Sequence, residues 1–246
     1  MQRADHAVAL ASSEAVPRLP GLSAVVPLHD EVENVAAVVA GLRAVLPEVA
    51  EHWEVVLVDD GSRDGTGALV DALAAADAGV RVVRHARNRG YGAAIRTGFA
   101  AARHGWLFLM DGDGQFDPGE LPRLCAAHAD ADAVVGWRER RADPWVRRVN
   151  TAGWNRLVRT LFRLPVRDVN CAFKLLRREA LGAAATVADG AMISTELLAR
   201  LRQRGARIVE VSVTHLPRRA GQASGAAPAV VLRAFLELAR LTRELR

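Results

Sequence analysis

The chain has 246 residues, half of them apolar, and a formal net charge of +5. That length carries one large α/β domain or two small ones with a sizeable core. The basic side is almost all arginine (Lys174 is the single lysine) and aromatics make up 5%, too few for base-stacking platforms. A nucleic-acid partner is therefore not expected, whereas an anionic ligand or an anionic membrane face is compatible.

Residues 1–20 mix charges with Ala, Ser and Pro and read as a disordered lead-in rather than a signal peptide. From Leu22 strand-like and helix-like blocks alternate. Leu22–Val26 is a short apolar strand ended by Pro27, Val35–Leu46 has helical periodicity closed by Pro47, and Trp53–Val58 is a second strand. A helix through about Ala76, a strand Val80–Arg84 and a helix Ala93–Ala102 follow. Trp106–Met110 is the fourth strand, Pro118–Ala127 a helix and Ala133–Gly136 the fifth strand. Such spacing argues for βαβ units and a mostly parallel sheet.

Beyond Gly136 the rhythm changes. Residues 137–167 are rich in arginine and suggest a helix with loops over one face. Asp168–Arg177 reads as a strand, Ser194–Arg204 as a helix and Arg207–Val213 as a strand. The loop Pro217–Pro228 then leads to a terminal helix, about Ala229–Leu245. That helix sets Arg233, Glu237, Arg240 and Glu244 opposite Val231, Phe235, Leu238 and Leu245. Such a stripe packs on its own sheet or a partner subunit more readily than on a membrane surface. Cys125 and Cys171 lack metal-ligand spacing and read as buried thiols. No apolar run approaches the ~20 residues that span a bilayer, so the chain is expected in the cytoplasm, at most peripheral at the inner face of the plasma membrane. The division expected is a lead-in (1–20), one domain (21–227) and a C-terminal amphipathic helix (228–246).

Two acidic clusters carry the chemistry. The apolar run Trp106–Met110 stops at Asp111-Gly112-Asp113, and Trp53–Val58 stops at Asp59-Asp60-Gly61-Ser62. Both lie at the carboxyl ends of strands, where open α/β sheets bind ligands. Paired carboxylates there suit a hard divalent cation that takes its remaining ligands from phosphate oxygens. Gly112 allows a close backbone approach. Asp60 can accept from a ribose hydroxyl or a base N–H; Ser62 and Asp64 are equally able to cap the next helix, which leaves Asp60 spare. Acidic residues from Glu31 to Glu33 are explained by the helix dipole alone. The loop Arg87–Gly92 ends a strand and opens a helix, which makes an anion site of backbone N–H groups plausible, although neither the P-loop nor the full dinucleotide spacing is met.

Together these residues resemble a known family. Val26-Pro27…Glu31…Asn34, Val58-Asp59-Asp60-Gly61-Ser62, Asn88-x-Gly90-x-Gly92 and Met110-Asp-Gly-Asp-Gly-Gln115 look like the family 2 glycosyltransferases, in the order of the dolichol- and polyprenyl-phosphate branch. Gly136-x-Arg138, Asp168…Lys174 and Glu196 resemble that branch's later motifs. The resemblance implies a GT-A (Rossmann-like) α/β fold, a nucleotide-diphosphate sugar donor and Mg²⁺ or Mn²⁺. Carried over by position, Pro27, His29 and Glu31 would line the nucleoside pocket. Val58 and Asp60 would meet base and ribose with Asp59 beside them. Asp111 and Asp113 would hold the metal, and Gln115 would complete its shell. Arg138, Lys174 and Arg218 would face donor or acceptor phosphates. Glu196, inside an amphipathic helix, reads as helix-stabilising or cation-pairing, and His215 as structural.

The activity so implied is inverting transfer of a hexose to polyprenyl phosphate, with a nucleophile already ionised near neutral pH and no need of a strong general base. One departure bears on the acceptor: where the branch tends to carry Gly-x-Ser-Lys after the last arginine, this chain has Gly221-Gln222-Ala223-Ser224. Two alternatives stand beside that reading. One keeps the donor but uses a soluble small-molecule or saccharide acceptor; the other is a non-catalytic nucleotide-sugar-binding subunit with a membrane-protein partner. A homodimer is also compatible with the terminal helix.

Overall fold

The structure, a computed structural model, describes residues 18–139, 145–182, 186–218 and 228–245. The chain order is β1 (Leu19–Leu28), α1 (Val35–Val49), β2 (Ala50–Asp59), α2 (Thr66–Ala76), β3 (Val80–Arg84), α3 (Tyr91–Ala101) and β4 (Trp106–Leu109). A 3₁₀ turn (Pro118–Glu120) then precedes α4 (Leu121–Ala126), β5 (Ala133–Arg138), α5 (Trp145–Phe162), β6 (Lys174–Arg177), α6 (Arg178–Leu181), α7 (Ile193–Gln203), β7 (Ile208–Val213) and α8 (Pro228–Glu244).

Seven strands form one sheet in the order β3-β2-β1-β4-β6-β5-β7. All neighbours pair in parallel except β6, which runs against β4 and β5. Side chains alternate between two apolar layers, as the pleat requires. Ala24, Val26 and Leu28 face the layer of α1, α2 and α4, while Val25 faces that of α3, α7 and α8. α1 buries Val35, Val38, Val39, Leu42, Val45, Leu46 and Val49, a single helical stripe. α3 packs against the sheet through a glycine: a Cβ on Gly98 would lie 2.3 Å from Val25 Cγ1.

Several boundaries differ from the sequence reading. Pro27 does not end β1. In a parallel ladder, residues two apart send their polar groups to the same side, and the Val25 carbonyl accepts from Met110 on the β4 side. Pro27 therefore faces that side too, past the last β1–β4 pair at Val25–Leu109, where no ladder bond needs its missing N–H. Pro47 lies inside the last turn of α1 rather than closing it. Leu19, assigned to the lead-in, is fully buried in β1, whereas residues 1–17 lie outside those described. Only Lys174–Arg177 of the stretch Asp168–Arg177 is strand. The preceding residues form a turn, with Cys171 N–H donating to Asp168 O, and Val169, Cys171 and Phe173 are buried without strand geometry.

The terminal helix packs on its own domain through part of the expected stripe, since Phe235 is half exposed and Glu237 of the polar stripe accepts from Gly190 N–H. Leu238 and Leu241 are buried, Phe235 meets Trp154 edge-on at 5.3 Å, and Leu236 remains exposed. Among the described residues no helix is long and apolar enough to cross a membrane.

Candidate active site

The carboxyl ends of β1, β2 and β4 share one edge of the sheet. Because β6 is antiparallel, its first residue, Lys174, pairs with Leu109 and joins that edge. Arg138 ends β5, and Arg218 lies five residues past the end of β7. One topological fact thus gathers most of the candidate residues.

The turn after β4 is shaped by β1. A Cβ on Gly112 would lie 2.2 Å from Leu28 Cδ2 and 3.2 Å from Val26 Cγ1, so the close approach this glycine permits is to the neighbouring strand. The two aspartates on either side of Gly112 find different partners. Asp111 Oδ1 accepts from the Tyr91 hydroxyl at 2.7 Å. Burial, followed by the charge of Asp113, pushes the Asp111 carboxyl up from 3.8 to about 7. Asp113 Oδ1 accepts from the Gln115 backbone N–H at 3.1 Å and its Oδ2 from Arg218 Nη2 at 2.7 Å. The same guanidinium reaches Glu31 Oε1 at 3.3 Å. Glu31 is thus more than a dipole-satisfying surface residue. Burial pushes its carboxyl up, and bonds from Asn34 and Arg218 pull it back only in part. Gln115 Nε2 donates to Leu216 O at 3.1 Å, which fastens this turn to the segment carrying Arg218.

The second acidic cluster is internally committed. Asp60 accepts from Arg89 N–H and Gly90 N–H at 2.8 Å each, and its Oδ1 lies 2.6 Å from His85 Nδ1. The Arg87–Gly92 loop therefore does gather an anion on backbone N–H groups, and that anion is Asp60. The carboxylate is not spare. Asp59 accepts from Ser62 N–H and from Arg84 Nε at 2.9 Å. Burial alone would raise it; these bonds outweigh that and hold its carboxyl below the ordinary range. A cleft of about 470 Å³ opens beside Asp59, Ser62, Arg63, Arg84 and Arg87, within the ~300–1,000 Å³ of small-molecule pockets. Val58 is fully buried and faces α3, Pro27 is buried, and His29 is exposed with Nε2 3.6 Å from Asp30 Oδ2.

On the other flank Arg138 forms a bidentate pair with Asp168, Nε–Oδ2 2.7 Å and Nη2–Oδ1 3.0 Å. Lys174 is fully buried and donates to the Cys171 carbonyl; burial lowers its pKa. His215 is buried edge-on to Phe116, in keeping with a structural role. Glu196 is fully buried, pairs with Arg200 at 2.7 Å and accepts from the Val187 and Ala188 N–H groups, so the cation-pairing reading holds and is joined by a loop-holding one. Residues 219–227, which include the Gly221–Ser224 departure, lie outside the described residues. Tyr91 and His85 were not singled out by sequence reasoning; the one signal was that the chain's only tyrosine sits between Gly90 and Gly92.

The family model for glycosyl transferase family 2 matches residues 23–183. The chain belongs to that family. An uncharacterized glycosyltransferase of Mycobacterium tuberculosis is 36% identical over 205 residues, covering 82% of this chain and 88% of the relative. The polyprenol monophosphomannose synthase of Mycolicibacterium smegmatis is 35% identical over 210 residues, covering 80% and 78%. The undecaprenyl-phosphate mannosyltransferase of Micrococcus luteus is 31% identical, covering 80% and 84%. These names place the similarity in the polyprenyl-phosphate branch of family 2. Among solved structures, glucosyl-3-phosphoglycerate synthase from Mycobacterium tuberculosis, in complex with UDP, superposes with a TM-score of 0.68 at 18% identity, covering 91% of this chain and 80% of that one. That likeness supports the GT-A fold of this family 2 glycosyltransferase.

Proposed function

We propose that this glycosyltransferase moves a hexose from a nucleoside-diphosphate sugar, of the GDP-mannose or UDP-glucose type, to polyprenyl phosphate with inversion at the anomeric carbon. The observation that carries the reading is how charge is distributed along the edge. Asp59 is met by Arg84, Asp60 by His85 and two N–H groups, Asp168 by Arg138, and Asp113 and Glu31 by Arg218. Asp111 is met at hydrogen-bonding distance by a neutral phenol, with Lys174 and Arg138 acting on it only after burial and Asp113. A fold that gives most of its edge acids a cationic or N–H partner and leaves the Asp111 carboxyl raised to about 7 suits a cation from outside.

Asp111 and Asp113 fit Mg²⁺ or Mn²⁺ in a particular way. Among the described residues no group of three or more His, Cys, Asp or Glu could hold a metal. Two carboxylates, which the Gln115 amide oxygen would join, are the protein share of a hard cation that completes its shell with substrate phosphates. The bound cation would offset charge developing on the departing nucleoside diphosphate.

The chain's own groups do the rest. The cleft beside Asp59, with Pro27, His29, Glu31 and the backbone at Val58, receives the nucleoside, while Asp60 holds the adjoining loop. Arg218, released from Asp113 and Glu31, and Arg138 with Lys174 supply positive charge toward donor and acceptor phosphates. An acceptor phosphate oxygen attacks the anomeric carbon, and the bond to the nucleoside diphosphate breaks with its electron pair. No proton moves, because the nucleophile is already ionised.

The test is a transfer assay with purified protein, Mg²⁺ or Mn²⁺, polyprenyl phosphate, and labelled GDP-mannose, UDP-glucose and UDP-N-acetylglucosamine in parallel. Metal-dependent label from one donor in the organic phase supports the proposal and names the sugar. Donor hydrolysis with all label remaining aqueous overturns the lipid acceptor and favours a soluble one. Binding of donor with no turnover on any acceptor favours a non-catalytic subunit.

A further inference from the structure

The loop between β3 and α3 gathers the Asp60 carboxylate on its N–H groups. Its geometry gives it a second task. Asp60 pins Arg89 and Gly90 through their N–H groups, and Gly90 takes φ 104°, a left-handed conformation that favours glycine. The next residue, Tyr91, begins α3. Gly92 is pinned from the opposite side: its N–H donates to Asp189 O at 2.8 Å, and a Cβ there would lie 2.2 Å from the Ala188 carbonyl oxygen. The 187–190 segment that does this is itself fixed. Val187 and Ala188 donate to the fully buried Glu196, Arg96 pairs with Asp189 and Ala188 O, and Gly190 N–H donates to Glu237 Oε1 of α8 at 3.0 Å. Tyr91 is thus held by its neighbours on both sides, and its hydroxyl ends 2.7 Å from Asp111 Oδ1.

We propose that Tyr91 is a positioning residue for the cation-binding carboxylate: it occupies Oδ1 of Asp111 and so presents Oδ2 to the ligand, while Asp60 and the Ala188–Asp189 backbone hold the tyrosine in place. The proposal rests on the reading of Asp111 as a cation ligand. It explains why the two acidic clusters occur together. Asp60 braces the turn that aims Asp111. Partners that fix a ligating side chain typically carry 10–100-fold in metal affinity, and a phenol-to-carboxylate bond also costs the site no competing charge.

The experiment is a Mn²⁺ titration followed by electron paramagnetic resonance, with UDP and GDP each present in parallel, on wild type, Tyr91→Phe and Asp111→Asn. Phenylalanine keeps the ring and its packing, so thermal denaturation of the metal-free protein is expected to stay near wild type. Tyr91→Phe is expected to weaken Mn²⁺ about tenfold, with turnover at saturating Mn²⁺ largely restored. A merely structural tyrosine would lower the melting temperature and leave the Mn²⁺ affinity alone. Binding lost in Asp111→Asn yet unchanged in Tyr91→Phe overturns the positioning role by itself. Binding that survives Asp111→Asn overturns the cation reading and this proposal with it.

Discussion

Replacing Asp111 with asparagine should stabilise the metal-free protein, and by an amount that depends on pH. The carboxyl titrates near 3.8 in an unfolded chain and is pushed to about 7 in the fold. At about 1.4 kcal/mol per pH unit, the displacement is on the order of 4 kcal/mol. The folded value is the raised one, so the protonated carboxyl's contribution is complete below about 3.8 and lost as pH climbs toward 7. Wild type should therefore weaken relative to the variant across that window and run parallel to it above. Asparagine is isosteric, carries no charge and still accepts from Tyr91. For a chain of this size the difference is roughly 8–16 °C in melting temperature at pH 8. Thermal melts in EDTA from pH 4 to pH 8 measure it, and excess Mn²⁺ with a nucleoside diphosphate should rescue wild type alone. A gap between the two proteins that stays constant from pH 4 to pH 8 would refute the reasoning.

Two further substitutions probe the supports of the site. Glu196→Ala strands the Val187 and Ala188 N–H groups and leaves the half-buried Arg200 guanidinium without its nearest carboxylate. Breaking a buried pair from one side costs about 3–5 kcal/mol, to be read as a fall in melting temperature, with Glu196→Gln milder. Arg218→Ala should act in opposite directions on two measurements. Without nucleotide, Mn²⁺ should bind several-fold more tightly, because Asp113 and Glu31 lose the guanidinium that occupies them. Turnover should nevertheless fall by about 100-fold as phosphate contacts disappear, and titration together with steady-state kinetics checks both.

Much of the fold could be read from residue order because parallel strands are buried on both faces and stand out as apolar runs between turn residues. β2, β3, β4 and α2 fall close to where that pattern puts them. The misreadings turn on facts outside the residues misread, and for Pro27 that fact is another strand's length. Pro27 is tolerated because β4 stops short, and nothing in Pro27 or its neighbours states that. The run Val169–Phe173 is as apolar as a strand, yet a turn at Asp168–Cys171 buries it in another way. Burial writes the same composition whether or not a ladder forms.

The site divides along the same line. That carboxylates gather at one edge follows from strand order and could be foreseen; what each one touches could not. Asp60 sits one residue from Asp59, and the capping alternatives nearby leave it looking spare. Its partners come from 25 to 30 residues downstream, at His85, Arg89 and Gly90. Gly112 permits a close approach, and one group it admits is Leu28 of the neighbouring strand. In each case the sequence specifies a chemical capacity, and the fold decides whether the chain spends it on itself. Asp59 and Asp60 are committed to Arg84, His85 and a row of N–H groups, and Asp113 to an arginine that a ligand can draw away. Among the described residues Asp111 has neither a cation nor a row of N–H groups at bonding distance and is met by the Tyr91 hydroxyl, an asymmetry between two similar Asp-rich turns that supports reading one as a brace and the other as a cation site.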